Sequence, residues 1–474
     1  MSLSGAPAAA LPGAADTIVA IATPPGRGAL SIVRVSGARS HEIGRSMLAR
    51  WPHRPRQAVL TEVHDASGVT LDQVVVVRYD GPASFTGEDA LEISTHGGAV
   101  VPTTVVAAVL SLGARMATPG EFTRRAVLNG KLDILQAEAT ADLIAAGSRA
   151  AQRVALQQLD GGLSRRIARL REQVIGIEAL IAYDIDFPEE DDGPIAPART
   201  LAALDDLESA LRGLLATARG GELVREGALA VLAGPPNVGK SSLFNALIGR
   251  SRAIVTAIPG TTRDALEAVI DAEPWPIRLV DTAGLRSTTD PVERLGIEVS
   301  ESYVCRASVV LCCGEDAPSL RAAVESVRAA RATEGDDENS LIAVLTKCDL
   351  ELAADVDVTA LGDELGTGDS VAVSAETGAG VQRVLTVIGD MLGRAVGAPE
   401  LDAPVLTQAR HHHAVAHALG GLRAFRRAWR DEALPATIAA VHLHEAADAL
   451  RDLIGGVETE QVLDEVFRRF CVGK

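Results

Sequence analysis

Several features that would assign this chain to a familiar class of protein are missing from its sequence. Its five cysteines, at positions 305, 312, 313, 348 and 471, form no CxxC pair and no metal-ligand spacing. This pattern favours a reduced cytosolic setting over a disulfide framework. Aromatic residues make up only 3% of the chain against a hydrophobic content of 47%, which is typical of a soluble protein rich in Ala, Val and Leu.

Membrane and export signals are missing as well. No apolar run approaches the roughly 20 residues that a membrane span requires. The N-terminus, MSLSGAPAAALPGAAD, has no basic n-region and no sustained apolar core, so it reads as a flexible tail rather than a signal peptide. The 45 basic and 63 acidic residues give a net charge of −18, which disfavours nonspecific coating of nucleic acid. We therefore expect a cytoplasmic protein without a membrane span.

The strongest motif in the chain is a phosphate loop. An apolar run at 229–233 predicts a strand, and the pattern GxxxxGK(S/T) follows, filled by Gly234, Gly239, Lys240 and Ser241. In this pattern backbone N–H groups and the helix N-terminus attract phosphate oxygens, the lysine reaches the β- and γ-phosphates, and the serine hydroxyl ligates Mg²⁺. The stretch therefore predicts strand, phosphate loop and helix.

Two further segments predict a switch that responds to a γ-phosphate. The hydroxyl-rich loop 253–264 (AIVTAIPGTTRD) contains Thr262, whose hydroxyl can ligate Mg²⁺ when a γ-phosphate is present. A strand-like run at 277–280 leads into DTAG. There the Asp281 carboxylate can hold the Mg²⁺ shell and the Gly284 N–H can bond the γ-phosphate.

Guanine is the predicted base. A buried strand at 341–345 ends in TKCD, where Asp349 can accept hydrogen bonds from N1–H and the 2-amino group of guanine, a pair that adenine does not offer, while Lys347 lies along the base. The run 371–378 (VAVSAETG) brings the backbone of Ser374 and Ala375 toward guanine O6. The order and spacing of these motifs predict a guanine-specific switch, and an ATPase would leave TKCD and SAE unexplained.

Two residues distinguish this switch from Ras-type enzymes. Leu285 follows DTAG, so the glutamine that orients water in Ras is missing, and catalysis must be organised differently. Asn237, inside the phosphate loop, has a side-chain oxygen that could hold a monovalent cation where an arginine finger would otherwise place charge. A loop-stabilising Asx hydrogen bond explains the same residue equally well.

The remaining segments predict two other kinds of structure. A compact α+β domain is predicted by strands at 18–21, 30–35, 74–79 and 90–94 and a helix at 100–112. The polar loops of this domain, 85–98 and 119–133, can be interpreted equally well as ordinary turns or as parts of a site. A long amphipathic helix is predicted at 152–182, followed by the acidic loop 189–192 and a helix at 198–218. The apolar positions of the predicted helix at 152–182 recur in steps of four and three: Leu163, Ile167, Leu170, Val174, Ile177 and Ile181.

The segment from about residue 401 is helical again. Ile438, Val441, Ala449 and Leu453 are predicted to lie in the core of a bundle. The run His411, His412 and His413 suggests a metal site at first sight, but consecutive residues of a helix point in different directions, which argues against one.

Nearly the full length of the chain resembles one family, the MnmE (TrmE) tRNA uridine-modification GTPases. The matching stretches are TIVAIATPPGRGALSIVRVSG, FTGEDALEISTHGG, PGEFTRRAVLNGKLDILQAEA, the series GPPNVGKSS, GTTRD and DTAGLR, and the terminal FCVGK. The resemblance implies a multidomain α/β protein. Its expected parts are an α+β folate-binding and dimerisation domain (1–130), a helical domain in two parts (131–224 and 397–474), and an inserted P-loop GTPase domain with a Ras-like doubly wound sheet (225–396).

The resemblance also implies roles for single residues. Asn237 matches a K⁺ ligand, joined by Thr256, Ile258 and Thr261, while Ser241 and Thr262 take Mg²⁺. Glu293, a surface carboxylate on the residues alone, matches the glutamate that helps to orient the attacking water. Positions that hold 5-formyltetrahydrofolate are matched by Arg34, Glu92, Lys131 and Lys474, and Cys471 matches a cysteine required for tRNA modification but not for GTP hydrolysis.

The full set of residues expected to contact the nucleotide and its ions follows from the motifs and the resemblance together: Asn237, Val238, Gly239, Lys240, Ser241, Ser242, Thr256, Ile258, Thr261, Thr262, Asp281, Gly284, Thr346, Lys347, Asp349, Ser374 and Ala375. Thr346 departs from the family, which more often has Asn there. Because guanine recognition rests mainly on Asp349, we expect this departure to weaken nucleotide binding at most.

The family's reaction, as the resemblance implies it, joins an aminomethyl-type group to C5 of the wobble uridine in certain tRNAs. It uses a folate-derived one-carbon unit and a flavin-bearing partner, MnmG, in a heterotetramer. A homodimer forms chiefly through the N-terminal domains, and K⁺-stimulated GTP hydrolysis follows dimerisation of the G domains. Two alternatives stay open: a ribosome-assembly GTPase, and a folate-dependent one-carbon transferase with an accessory GTPase.

Overall fold

The computed structural model describes residues 16–186, 197–250, 266–272, 274–281, 301–332, 340–351, 356–397, 401–431, 434–455 and 473. The chain forms two compact units, one made of residues 1–141 and 451–474 and the other of residues 142–450. Both contain a six-stranded sheet with helices, so the predicted mixed α/β class with helical content is confirmed.

The first unit is built on a largely antiparallel sheet in the order β3-β4-β5-β2-β1-β6, in which only β1 and β6 run parallel. Its strands are β1 (Ile18–Ile21), β2 (Leu30–Ser36), β3 (Val59–His64), β4 (Thr70–Tyr79), β5 (Ala90–His96) and β6 (Arg115–Met116). Its helices are α1 (Ser40–Met47), α2 (Val101–Ser111) and α3 (Glu121–Leu128), and α4 (Ile134–Ala145) follows.

Alternation along the strands gives this sheet two different faces. Val33 and Val35 of β2 are buried in the main core, to which α1 and α2 contribute Ile43 and Val105. The intervening residues point to the opposite face. There Ile18 and Ala20 of β1 pack against Phe122 of α3 in a small second cluster. Polar side chains of β2 and β5 share that second face.

The second unit contains the sheet that the phosphate loop predicts. Its strands are β7 (Ala228–Ala233), β8 (Leu266–Ala272), β9 (Trp275–Asp281), β10 (Val309–Gly314), β11 (Leu341–Leu345) and β12 (Asp369–Ala372). The order is β12-β11-β10-β7-β9-β8, and all neighbours are parallel except the β8–β9 pair. The helices that connect these strands are α9 (Lys240–Arg250), α10 (Ala317–Arg331) and α11 (Val358–Leu365), and α12 (Val381–Val396) follows β12.

Residues on both faces of this parallel sheet are buried, which explains its continuous apolar runs. In β10, Leu311 and Cys313 belong to one core cluster and Val310 and Cys312 to another. Every residue of this strand is buried.

Helices form the rest of the second unit: α5 (Arg149–Leu159), α6 (Gly162–Asp186), α7 (Pro197–Ala216), α8 (Ala218–Glu226), α13 (Ala409–Arg426) with a π-helical turn (Arg427–Asp431), α14 (Ala436–Ala439) and α15 (Val441–Ile454), whose last turn belongs to the first unit. Glu208 of α7 ties two of them together, since its carboxylate pairs with Arg423 at 2.8 Å and with Arg426 at 3.4 Å. The six apolar positions predicted as a seam on α6 are all buried.

Three expectations about the helices need correction or refinement. The helix predicted at 152–182 is two helices, because Gly161 adopts a left-handed φ of +79° between α5 and α6. Val441 is exposed rather than in the bundle core, since α15 buries the face of Leu443, Ala446 and Leu450 instead, and Ile438 of α14 is exposed as well. Leu453 is buried as predicted.

Two further expectations concern a metal site at the histidine run and a membrane-spanning helix, and both can be compared with the described residues. His411 is fully buried while His412 and His413 are exposed, so the three side chains do not converge on a common ligand. Among the helices within the described ranges, none combines the length and the apolar character needed to cross a bilayer.

Candidate functional site

The phosphate loop connects β7 to α9 at the carboxyl edge of the parallel sheet. Gly234 follows β7 directly with a φ of +147°, and a Cβ placed there would lie 2.2 Å from the carbonyl oxygen of Cys313. Only glycine fits so close to the neighbouring strand. The helix begins at Lys240, where Leu243 N–H donates to the Gly239 carbonyl at 2.9 Å. Ligands bind outside the carboxyl edge in sheets of this type.

Lys240 is held inside this loop. Its side chain is buried, and its Nζ donates to the carbonyl oxygens of Gly234 at 2.9 Å and Pro235 at 2.7 Å. The ammonium group therefore lies within the turn whose backbone would surround a phosphate chain. Ser241 and Ser242 occupy the next two positions and are exposed, so their hydroxyls are accessible to a ligand at the helix N-terminus.

The end of β11 is fastened to the phosphate loop. The buried Thr346 hydroxyl contacts the Val238 carbonyl and lies 3.0 Å from the Gly314 carbonyl. Next to it, Lys347 Nζ donates to the Asn237 carbonyl at 2.9 Å and pairs with Glu315 at 2.5 Å. The residues predicted to recognise phosphate and base are thus joined by direct contacts.

The other base-recognition residues lie at the ends of β11 and β12. The Cys348 N–H donates to the Val373 carbonyl at 3.2 Å, which connects TKCD to the SAE loop. Within that loop Ser374 is buried, its N–H donates to the Ala379 carbonyl at 3.0 Å, and its Oγ accepts from Thr377 N–H at 3.2 Å. Asp349 is exposed, so its carboxylate is accessible to a base.

Asp281 ends β9 and lies next to the phosphate loop. It pairs in register with Leu232 of β7, and its side chain is fully buried. Nearby, burial raises the pKa of the Cys312 thiol to about 12, and burial together with Cys312 raises that of Cys313 further. Both thiols are therefore protonated at neutral pH and behave as small hydrophobic side chains.

A second cluster of predicted residues lies in the first unit, on the face of the sheet that carries Phe122. Arg34 of β2 and Glu92 of β5 face each other across the strands, with Nε–Oε1 and Nη2–Oε1 distances of 3.1 and 2.7 Å. The Tyr79 hydroxyl donates to the other Glu92 oxygen at 3.0 Å. The guanidinium lies 5.6 Å from the ring centroid of Phe85 and 5.7 Å from that of Phe122.

These contacts give the cluster a defined chemistry. Burial and the Glu92 charge raise the pKa of Tyr79, so the phenol remains a donor at neutral pH. Sequence reasoning missed Tyr79, Phe85 and Phe122. The signal for Tyr79 was its position two residues after Val77 of β4, because Val77 pairs with Glu92 and alternate residues of a strand share a face. Nζ of the predicted partner Lys131 donates to the Pro82 carbonyl at 3.1 Å.

The buried Arg125 organises the loops around this cluster. It donates to Glu88 at 3.1 Å and to Glu121 at 2.9 Å. Although burial by itself would raise the pKa of Glu121, hydrogen bonds from Arg115, Thr118 and Arg125 lower it to about 2. This network connects loops that sequence reasoning left as either turns or a site.

Eight predicted site residues lie outside the described residues: Thr256, Ile258, Thr261, Thr262, Gly284, Glu293, Cys471 and Lys474. The structure therefore brings together the phosphate-loop, base-recognition and Asp281 positions in the second unit. In the first unit it pairs Arg34 with Glu92. The predicted roles of the other eight residues remain predictions.

Comparisons with known proteins cover almost the whole chain. The family model for the GTP-binding protein TrmE N-terminus matches residues 17–131, and the model for the MnmE helical domain matches residues 134–471. The tRNA modification GTPase MnmE of Azoarcus sp. is 43% identical over 97% of this chain and 98% of that protein. The one from Moorella thermoacetica is 39% identical over 97% of this chain and 99% of its own length.

Among solved structures, the G domain of the T. maritima FeoB iron transporter is 25% identical and covers 35% of this chain and 98% of its own. The TM-score of this comparison is 0.27. The two family models and the identities over nearly the full length show that the chain belongs to the MnmE family, whose curated relatives are named tRNA modification GTPases.

Proposed function

We propose that this GTP-hydrolysing, tRNA-modifying enzyme of the MnmE family adds a (carboxymethyl)aminomethyl group at C5 of the wobble uridine in certain tRNAs. It takes a one-carbon unit from a folate and acts with the flavoprotein MnmG. The observation that carries the proposal is the presence in one chain of a phosphate-loop unit and a separate unit with the Arg34–Glu92 pair. A ribosome-assembly GTPase would need only the phosphate-loop unit.

The residues of the second unit fit GTP and Mg²⁺. Lys240 is directed into the phosphate loop, where its present partners are carbonyl oxygens that phosphate oxygens could replace. Asp281, fully buried at the end of β9, and the accessible Ser241 hydroxyl supply oxygen ligands of the kind that Mg²⁺ prefers. Asp349 is accessible for guanine. In this proposal GTP hydrolysis drives a conformational cycle rather than the modification chemistry.

The face around Arg34 fits a folate. A pterin presents a flat ring with donors and acceptors along its edge, and Glu92 and Arg34 supply an acceptor and donors beside two aromatic rings. Lys131 and Lys474 complete the proposed set, with 5-formyltetrahydrofolate or a related folate as ligand. A bound folate supplies the one-carbon unit, and these residues hold and orient it.

Potassium and dimerisation belong to the same proposal. Asn237 has a left-handed φ of +63°, and Lys347 holds its carbonyl oxygen, so the loop backbone around its side chain is constrained. With Thr256, Ile258 and Thr261 it would bind K⁺ when two G domains meet. We expect the rate of GTP hydrolysis to be well above the Na⁺ rate when the salt is K⁺ instead. Equal rates in the two salts would refute the cation site.

The wider arrangement follows from the same reasoning. We propose a homodimer, a heterotetramer with MnmG and a cytoplasmic location, where tRNA is available. The proposed domain boundaries remain 1–130, 131–224, 225–396 and 397–474.

Nucleoside analysis tests the proposal directly. In a strain lacking the gene for this chain, C5-modified wobble uridine should disappear from tRNA and return when the gene is restored. A variant with Lys240→Ala should fail to restore it, which ties the modification to GTP. Unchanged C5-modified uridine in the deletion strain would overturn the proposal and would favour the ribosome-assembly alternative, which ribosomal subunit profiles would then test.

A further inference from the structure

A group of potential metal ligands in the first unit lies outside the two sites described above. His41 is the second residue of α1, Asp80 directly follows β4, and Asp89 directly precedes β5. Each of the three offers one nitrogen or oxygen atom, and these atoms lie within 4.8 Å of one another. A helix and two strands thus bring an imidazole and two carboxylates together at one end of the sheet.

The hydrogen bond of the His41 ring decides which nitrogen carries the proton. His41 is buried, and its Nε2 lies 3.1 Å from the carbonyl oxygen of Tyr79. Because a carbonyl oxygen only accepts hydrogen bonds, Nε2 is the donor, and Nδ1 of the neutral ring carries a lone pair. Metal-bound histidines are oriented in the same way, by a carbonyl or carboxylate on the second ring nitrogen. An edge contact with Trp51, at 5.4 Å between ring centroids, holds the ring as well.

Both carboxylates lie against this ring. Oδ2 of Asp89 is 3.3 Å from Nδ1, so a lone pair meets a carboxylate oxygen unless a proton or a cation lies between them. Oδ1 of Asp80 is 3.8 Å from Nε2. This oxygen is inaccessible to solvent and has no hydrogen-bond partner, which costs free energy in a protein interior. The two oxygens and the ring therefore require a positively charged partner.

A proton satisfies only part of this requirement. A proton on Nδ1 would pair the ring with Asp89, but the buried oxygen of Asp80 would still have no donor, because Nε2 already donates to Tyr79. A divalent cation can accept electron pairs from all three side chains at once. The other hydrogen bonds of the carboxylates use their opposite oxygens. Gly81 N–H donates to Oδ1 of Asp89 at 2.9 Å, and Oδ2 of Asp80 accepts from an arginine at 3.4 Å.

We propose that His41, Asp80 and Asp89 bind one divalent transition-metal ion of the Zn²⁺ type. Zn²⁺ accepts both imidazole nitrogen and carboxylate oxygen as ligands, at about 2.0–2.2 Å, whereas Mg²⁺ and Ca²⁺ take oxygen ligands. Two ligands of one such ion are at most about 4.4 Å apart, so small side-chain rotations close the site around the ion. Water completes the coordination shell.

The bound ion has a structural role that does not depend on the proposed function. It ties both ends of the loop 81–88 to α1, because Asp80 and Asp89 flank this loop and His41 belongs to the helix. The same loop carries Phe85, whose ring lies 5.6 Å from the guanidinium of Arg34. The metal therefore fixes the segment that supplies one aromatic ring beside the Arg34–Glu92 pair.

Zinc titration of the full-length protein, first freed of metal with a chelator, tests the site. Calorimetry should show one Zn²⁺ bound by wild type and a Kd for that ion at least about 100-fold higher in His41→Gln and Asp80→Asn. Asp80→Asn keeps the size of the side chain and removes one ligand charge. His53→Gln is the matched control, because His53 is an exposed histidine of the same unit, and its Kd should equal that of wild type.

Melting curves separate metal binding from folding. Zn²⁺ should raise the Tm of wild type and His53→Gln, because a ligand that binds the folded state stabilises it, and should leave that of Asp80→Asn unchanged. Asp89→Asn replaces His41→Gln in both measurements if the buried histidine proves necessary for folding. Equal zinc affinity in wild type and Asp80→Asn, or a wild-type Tm that does not respond to Zn²⁺, would overturn the site while the proposed function stands.

Discussion

The hydroxyl of Thr346 should contribute measurably to nucleotide affinity. It contacts the Val238 carbonyl in the phosphate loop, and both residues are buried. Thr346→Val keeps the shape of the side chain and removes the donor. The Gly314 carbonyl still accepts the backbone N–H of residue 346 at 2.8 Å, so the Val238 carbonyl is the acceptor that loses this bond. Such a loss costs about 1–3 kcal/mol.

We expect Thr346→Val to weaken nucleotide binding rather than to destabilise the whole fold, because one end of the contact lies in the loop that binds phosphate. At about 1.4 kcal/mol per factor of ten, the Kd for GDP should rise about 5- to 150-fold. Titration with a fluorescent GDP analogue measures this, and a melting curve of the nucleotide-free protein checks the fold. Thr346→Ser is the control, since it keeps the hydroxyl. A wild-type Kd and Tm for Thr346→Val would refute the reasoning.

Four further predictions concern single residues. Asp349→Asn should weaken GDP binding and strengthen binding of xanthosine diphosphate, whose base has a carbonyl where guanine has its amino group; a competition assay showing unchanged guanine preference would contradict this. Glu121, with a pKa near 2, should contribute about 3 kcal/mol of stability that is fully present above its unfolded pKa and lost as pH falls through about 2. Urea unfolding of wild type and Glu121→Gln across this pH range should therefore converge in acid, and parallel curves would disprove the assignment. Glu293→Ala should slow GTP hydrolysis at near-normal nucleotide affinity, and a normal rate would return Glu293 to a surface role. Cys471→Ser should keep GTP hydrolysis and lose modification, so fully modified tRNA would remove Cys471 from the site.

The parts of the fold with local signals could be predicted from sequence. The strands at 18–21 and 341–345 match β1 and β11, and the phosphate loop lies between a buried strand and a helix that begins at Lys240. These elements have apolar periodicity and glycine signals within a few residues of one another.

Other features depend on contacts between distant segments. The Gly161 break was missed because a heptad-like seam continues beyond it on α6, and periodicity alone cannot show where a helix starts. Val441 is apolar but exposed, because the packing of α15 buries a different face of that helix. Tyr79 and Phe122 join Arg34 only through strand register and the placement of α3.

Gly473 is buried in the first unit, where a Cβ would lie 2.4 Å from the carbonyl oxygen of Ile21. This neighbour belongs to β1, which the ribosome synthesises long before Gly473. Closing so long a loop costs chain entropy that grows only logarithmically with length, but the contact cannot form until residue 473 has been synthesised. The first unit therefore stays incomplete until then, and a cross-link between these two positions would report when it has closed.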